Sequence, residues 1–230
     1  MDFNQYTAGY SKRVDDAVSF SGRDHDFFLE VKARRLIEIA RQRFGRTSDL
    51  AVLDVGCGVG LMERFLLPHF GRIHGVDIAA ESIREAKENA PGGEFSKYDG
   101  SALPFGDGEF DVAFAVCVLH HVPPAEWERF VAEMFRVVKP GGLVAIFEHN
   151  PLNPLTRLVV SRCEFDQDAV LLTAGTARRL FRGAGLGSIE WRYFLFFPWR
   201  ARIFGMFERF FSWLPLGAQY YILGGKERAS

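Results

Sequence analysis

The chain has 230 residues, about the size of one α/β domain with additions. With 48% hydrophobic and 25% charged residues it folds round its own core, which excludes a disordered regulator and a fibrous repeat. A net charge of −1 supplies no general field for nucleic acid, so no nucleic-acid partner is expected. Cys57, Cys117 and Cys163 are odd in number, far apart and without a CxxC pair, which argues against a disulfide scaffold or a cysteine-rich zinc site. No basic-then-apolar leader opens MDFNQYTAGY, and no apolar run approaches the roughly 18 residues of a spanning helix. A cytoplasmic location is the expectation.

In chain order, residues 1–25 are polar and aromatic, with Tyr6 and Tyr10 four apart. From Asp24, the apolar pattern Phe28, Val31, Leu36, Ile37, Ala40 predicts a helix ending near Gly45. The period then changes. AVLDVG (51–56), RIHGVD (72–77), EFSKY (94–98), FDVAFAVCVL (110–119) and GLVAIFE (142–148) read as strands, being short, apolar and rich in Val, Ile and Phe. Helical patterns over 60–70, 80–90 and 124–138 separate them. Such alternation predicts parallel strands with right-handed crossovers, an open α/β sheet covered by helices on both faces. Further on, Asn153-Pro154 reads as a helix cap and first turn, and a helix over 174–184 stops at Gly185. Strands are expected at 186–197 and at AQYYILGG (218–225). With no repeat or low-complexity linker, the chain is read as one domain: an N-terminal cap and helix at 1–45, a core at 50–148, and a second half at 149–230.

Asp54-Val55-Gly56-Cys57-Gly58-Val59-Gly60 leaves the first strand and opens the next helix. Glycines there permit a sharp turn and close approach of a ligand to backbone. A Gly-x-Gly loop alone also suits dinucleotide enzymes. Those favour a third glycine three residues after the second, where this chain has Leu61, and an acid before the loop would repel a pyrophosphate while attracting a cationic amino-acid headgroup. Asp77 ends the second strand, where a carboxylate can accept both hydroxyls of a ribose; the alternative is a solvated loop acid. Asp99-Gly100-Ser101 follows the third strand and could bond an adenine edge or simply form a turn.

DVGCGVG, VD at 76–77, YDGSALPF at 98–105, FDVAFAVCVLHHV at 110–122 and VVKPGG at 137–142 together resemble the class I S-adenosylmethionine-dependent methyltransferases, over roughly residues 50–148. The resemblance implies a Rossmann-like seven-stranded sheet, mostly parallel with the last strand antiparallel, and S-adenosylmethionine as cofactor with S-adenosylhomocysteine as product. It places Gly56 and Gly58 against the methionine part, Asp54 near its ammonium, Asp77 on the ribose with Ile78 beside it, Asp99, Gly100 and Ser101 at adenine, and Cys117 on the cofactor floor. The segment with Tyr6 and Tyr10 is similar to the cap of small-molecule members, which adds Tyr10 to the cofactor set.

Methyl transfer from a sulfonium needs alignment, exclusion of water and, for some acceptors, removal of a proton. His120 and His121 follow the fourth strand at the mouth of an open parallel sheet. Alternation on a strand lets one of them face the site, and His121 is the choice, as general base or as a structural imidazole. Glu148 and His149 end the fifth strand at the same mouth and are candidates for acceptor binding or proton removal, against the plainer reading of Glu148 paired with an arginine. No metal site is expected, since His25, His69, His74 and His149 lack spacing such as HExxH and read as surface or core residues. The Asn/Asp-Pro-Pro-aromatic motif of base-modifying members is absent, and Cys117 lacks the preceding proline of a C5-cytosine enzyme.

Aromatics crowd Trp191–Tyr221. On a helical wheel of 199–214 they and the aliphatics fill about half the circle, opposite Arg202, Glu208, Arg209 and Ser212. This amphipathic insertion (198–216) reads as core packing, a lid over an apolar pocket, a peripheral membrane contact or a homodimer face. The expectation is an enzyme methylating a small, hydrophobic or lipid-like acceptor beneath a cap built from 1–28, 150–172 and 198–216. A macromolecule-modifying methyltransferase and a non-catalytic scaffold are the alternatives.

Overall fold

The computed structural model describes residues 23–163, 166, 168–196 and 210–228. The first helix, α1 (His25–Phe44), opens where the Asp24 carboxylate accepts from the Phe27 amide at 2.9 Å and closes at Gly45, whose φ of 77° ends the helical path. Then follow β1 (Ala51–Val55), α2 (Glu63–Leu66), β2 (Arg72–Asp77), α3 (Ala80–Asn89), β3 (Glu94–Lys97), β4 (Phe110–Val116), α4 (Trp127–Val137) and β5 (Val138–His149). The second half adds α5 (Pro154–Arg162), α6 (Ala174–Gly183), β6 (Gly187–Phe194) and β7 (Gln219–Gly225).

The seven strands form one sheet in the order β3-β2-β1-β4-β5-β7-β6. Neighbours from β3 through β5 run parallel, and β7 lies antiparallel between β5 and β6. This is the seven-stranded, Rossmann-like arrangement expected from the sequence. Strand alternation feeds two cores. Ala113, Ala115, Val144, Ile146, Tyr220 and Ile222 point to the face covered by α4 and α6, through Val131, Met134 and Phe181. Val112, Phe114, Leu143, Ala145 and Phe147 point to the face covered by α1, through Ala33, Leu36 and Ile37.

Several boundaries differ from the sequence expectation. The helix expected over 60–70 contracts to Glu63–Leu66. β4 ends at Val116, because Cys117 takes a left-handed φ of 55° that turns the chain out of the sheet. His120 and His121 consequently sit on a short 3₁₀ turn, Leu119–His121, and not on a strand. β5 starts four residues early, running through Gly142, where a Cβ would lie 2.7 Å from Asp111 O. Of the amphipathic insertion, 198–209 lies outside the described residues; Phe210 and Phe211 are helical and 212–218 form turns, so the helix does not continue to Leu214. Tyr6, Tyr10 and most of the 1–28 cap also lie outside the described residues, as do 164, 165 and 167 of the 150–172 segment. Among the described residues no helix is long and apolar enough to cross a membrane.

Phe147 is fully buried on β5, edge-on to Phe194 at 6.0 Å and 5.7 Å from the Tyr221 ring. Phe147→Ala should lower the free energy of unfolding by about 3–5 kcal/mol, measured as a lower urea midpoint at unchanged slope. A loss below about 1 kcal/mol would mean that the β5–β7 core is not packed as described.

Candidate active site

At the carboxyl ends of β1 and β2 the glycine loop is fixed by backbone geometry. Gly56 has φ 86°, and a Cβ on it would sit 2.5 Å from the Val118 side chain. The Gly56 and Cys57 amides donate to Val76 O at 2.7 and 3.0 Å. Gly60, φ 73°, brings the loop against α3, where a Cβ would meet Ala86 Cα at 2.8 Å. Asp77 completes the clip: Oδ2 accepts from the Gly58 amide at 3.0 Å and Oδ1 from the Ala79 amide at 2.8 Å. A carboxylate has about four lone-pair sites, so roughly two remain for a ligand.

Below this loop two carboxyl groups, Asp54 and Glu63, lie buried against each other. Asp54 Oδ1 and both carboxylate oxygens of Glu63 are buried without a hydrogen-bond partner. Burial, then repulsion from Glu63, pushes the Asp54 carboxyl well above its ordinary range. Burial pushes Glu63 up to about 7. Asp77 is raised as well, by burial against the lowering effect of its amide donors. Buried acceptors without donors are costly, and a cationic group is the partner that relieves the cost.

Asp54, Gly56, Gly58, Asp77, Ile78, Asp99, Gly100, Ser101 and Cys117 all line one cleft of about 440 Å³. Asp99 Oδ1 accepts from the Ser101 amide at 2.8 Å and from its hydroxyl at 2.6 Å, which lowers the Asp99 pKa. Ile78 is 41% exposed, an apolar side chain offered to a flat ligand face. Cys117 is held by long contacts from Lys32 Nζ at 3.6 Å and Gln219 Nε2 at 3.8 Å. Burial works to raise its thiol pKa, but Lys32 and His149 outweigh it and bring the thiol to about 7. The residues implied to hold the methionine, ribose and adenine parts of S-adenosylmethionine therefore share one cavity, with an unsatisfied acid and a glycine cradle where an ammonium and a backbone-hugging chain would lie. They fit that group.

The same cleft is also lined by His121, Val122, Pro123 and Phe130, and by Leu29 and His25 of α1. His120 turns away into the protein. Its Nδ1 lies 2.6 Å from Glu148 Oε2, and Glu148 Oε1 accepts from the Leu119 amide at 2.8 Å. His120 Nε2 and His121 Nε2 lie 3.5 and 3.3 Å from Asp166 Oδ1. Although burial works against charge on His120, Glu148 and Asp166 raise its pKa to about 10. His121 is lowered by burial.

Of the acceptor-side residues expected from sequence, only His121 reaches the cleft lining. Glu148 is fully buried, its two oxygens committed to His120 and Leu119, and its partner is a histidine rather than an arginine. His149 stands behind Cys117, its Nδ1 3.4 Å from Gln219 Nε2. The expectation that both stand at the mouth is corrected accordingly. His25, expected as a surface or core residue, lines the cleft because α1 packs over the β4–β5 face. Glu63 and Asp166 have no sequence signal: each acquires its partners only when the fold brings distant residues together.

Residues 53–146 match the family model described as a methyltransferase domain. The matched segment runs from β1 into β5 and is similar to a methyltransferase domain. Two curated relatives indicate the range of proteins that carry it. The 2-methyl-6-phytyl-1,4-hydroquinone methyltransferase of Synechocystis sp. is 38% identical over 103 residues, 43% of this chain and 32% of that protein. The 24-methylenesterol C-methyltransferase 2 of Oryza sativa subsp. japonica is 30% identical over 150 residues, 62% of this chain and 40% of that protein. The chain thus spans less than half the length of these relatives. Among solved structures, a S-adenosylmethionine-dependent methyltransferase of Thermotoga maritima, described as a possible histamine N-methyltransferase, superposes with a TM-score of 0.69 over 98% of both chains at 20% identity, a likeness of fold.

The buried Glu63 carboxyl gives a signed pH prediction. A carboxyl whose pKa is raised on folding stabilises the protein below its ordinary range and loses that contribution as pH rises through about 7. The ligand-free protein should therefore lose stability across that window, and Glu63→Gln should flatten the loss, read from urea titrations at several pH values. Equal slopes in the two proteins would show that Glu63 is not the titrating group.

Proposed function

We propose that this protein transfers the methyl group of S-adenosylmethionine to a small, hydrophobic or lipid-like acceptor. The observation that carries the reading is the pair formed by Asp54, buried with an unsatisfied oxygen, and Asp77, with acceptor capacity left over, on either side of the Gly56–Gly58 cradle. When bound, the cofactor supplies a methyl group on a sulfonium sulfur, ready for in-line displacement. Asp54 attracts the ammonium, Asp77 accepts the ribose hydroxyls, and Asp99, Gly100, Ser101 and Ile78 border the adenine. Cys117 forms the floor, and Tyr10 joins from the N-terminal cap.

The acceptor lies in the same cleft against His121, where Val122, Phe130 and Leu29 supply apolar lining. These side chains exclude water, and His121 orients the acceptor's polar group. Glu148 acts one step removed, fixing His120 and the 3₁₀ turn that carries His121; His149 supports Cys117 from behind. Support for an apolar acceptor comes from this lining, from the hydroquinone and sterol acceptors named in the relatives, and from apolar side chains at the carboxyl edge of the sheet. There Leu152 and Leu155 on one side and Trp213 and Leu216 on the other are 58 to 70% exposed, with Asn153 Nδ2 donating to Leu216 O at 2.6 Å to hold the two segments together. A domain of one sheet, cytoplasmic and touching the membrane surface at that edge, is the arrangement that suits such an acceptor.

The test is to incubate the protein with methyl-labelled cofactor and an extract of its source cells, then fractionate the label. Label should enter the organic phase, and His121→Ala should lower the acceptor turnover roughly 10- to 100-fold with the cofactor dissociation constant nearly unchanged. Label confined to RNA or protein would overturn the acceptor class.

A further inference from the structure

We propose that His120 Nε2, His121 Nε2 and Asp166 Oδ1 form a binding site for one divalent transition-metal ion at the wall of the cleft. Among the described residues these three alone offer histidine, cysteine or carboxylate ligand atoms that all lie within 4.8 Å of one another.

The first argument is distance. The two nitrogen-to-oxygen separations, 3.5 and 3.3 Å, are longer than a good N–H···O bond of about 2.7–3.2 Å. They match the edge of a tetrahedral shell, which for metal–ligand bonds of about 2.0–2.1 Å is about 3.3–3.4 Å. Asp166 thus bonds both imidazoles at long range, and the third separation, between the two ring nitrogens, also lies within the 4.8 Å that one ion can bridge.

The second argument is the layer behind the ligands. Metal-bound histidines usually hand their other ring nitrogen to a carboxylate, which fixes the tautomer and aims the free nitrogen. Glu148 Oε2 does this to His120 Nδ1 at 2.6 Å, and its second oxygen is anchored by the Leu119 amide at 2.8 Å. His120, Glu148 and Asp166 are 1, 0 and 8% exposed, so these side chains are shielded from solvent. Two imidazoles and a carboxylate form a donor set suited to zinc, iron, cobalt or manganese rather than to calcium or magnesium.

Charge points the same way. Glu148 and Asp166 bring two carboxylates to a buried pair of imidazoles, and no Lys or Arg is bonded to either acid among the contacts of the described residues. His121 is the only one of the three ligands that also lines the cleft, so a coordination position left over by three protein ligands borders the same space. The 3₁₀ turn makes this possible: it brings the two rings to 4.1 Å centroid separation on one side, where strand alternation would have sent them to opposite faces.

The experiment uses the full chain without a histidine tag, freed of metal with a chelator and then titrated with Co²⁺ as a spectroscopic probe and with Zn²⁺ by calorimetry. One ion per chain should bind, with the visible bands of a four- or five-coordinate cobalt site, and Zn²⁺ should displace the cobalt and raise the melting temperature. Glu148→Gln should weaken binding roughly 10- to 100-fold, and Asp166→Asn should abolish the cobalt bands. Because those two side chains are buried, the deciding variant is His121→Ala, whose side chain is 17% exposed. Its metal-free melting curve should match the wild type while the cobalt bands are lost. Absence of the bands in the wild type, or stoichiometric binding that survives His121→Ala in a folded protein, would overturn the proposal.

Discussion

The geometry of the cleft depends on one clip: the Asp77 carboxylate binding the amides of Gly58 and Ala79 while Val76 O receives the amides of Gly56 and Cys57. Two parallel strands have no hairpin to hold their carboxyl ends together, and a helix must cross over between them. Here the end of β2 grips the loop that leaves β1. The grip sets the position of every glycine in the loop, and it leaves Asp77 facing the ligand with acceptor capacity to spare. Asp54, on the strand that feeds the same loop, is then buried against the Glu63 carboxyl with its Oδ1 lacking a donor. The ligand-free protein carries this cost, and a cation removes it.

On the far side of the cleft a second constraint operates. Cys117 leaves β4 in a left-handed conformation, which non-glycine residues adopt only where surrounding structure demands it. The chain then folds into a 3₁₀ turn anchored at Leu119 by Glu148 and at Trp127, whose indole Nε1 donates to Leu119 O and Val122 O, both at 2.9 Å. This turn presents His121 to the cleft and His120 to the interior. The cleft is therefore built by the carboxyl ends of β1 to β4, with β5 behind them holding Glu148 against the turn.

Much of this was legible in the sequence. The strands were readable because both sheet faces are covered, so AVLDV, FDVAFAV and GLVAIFE are apolar throughout, and the helix limits at Asp24, Gly45 and Asn153 carry side-chain or glycine caps whose chemistry is local. The glycine loop, Asp54 and Asp77 stood out because a turn and two acids at strand ends have few structural explanations. What could not be read depends on non-local packing. The left-handed backbone at Cys117 has no composition signature, and it takes His120 and His121 off the strand, so strand alternation does not apply to them. Glu148 reads as an exposed acid at a sheet mouth until its partners are seen, since neither His120 nor the Leu119 amide is a sequence neighbour. Asp166 and Glu63 belong to the same class: their roles come from what the fold sets against them.

The central claim is that the clip and the unsatisfied Asp54 together form a cofactor site, and calorimetry with S-adenosylmethionine tests it most directly. The account predicts one site per chain, binding lost in Asp77→Ala, and binding in Asp54→Asn weakened most for ligands that carry the ammonium. Wild-type protein that fails to bind, or binding that Asp77→Ala leaves intact in a folded protein, would contradict it.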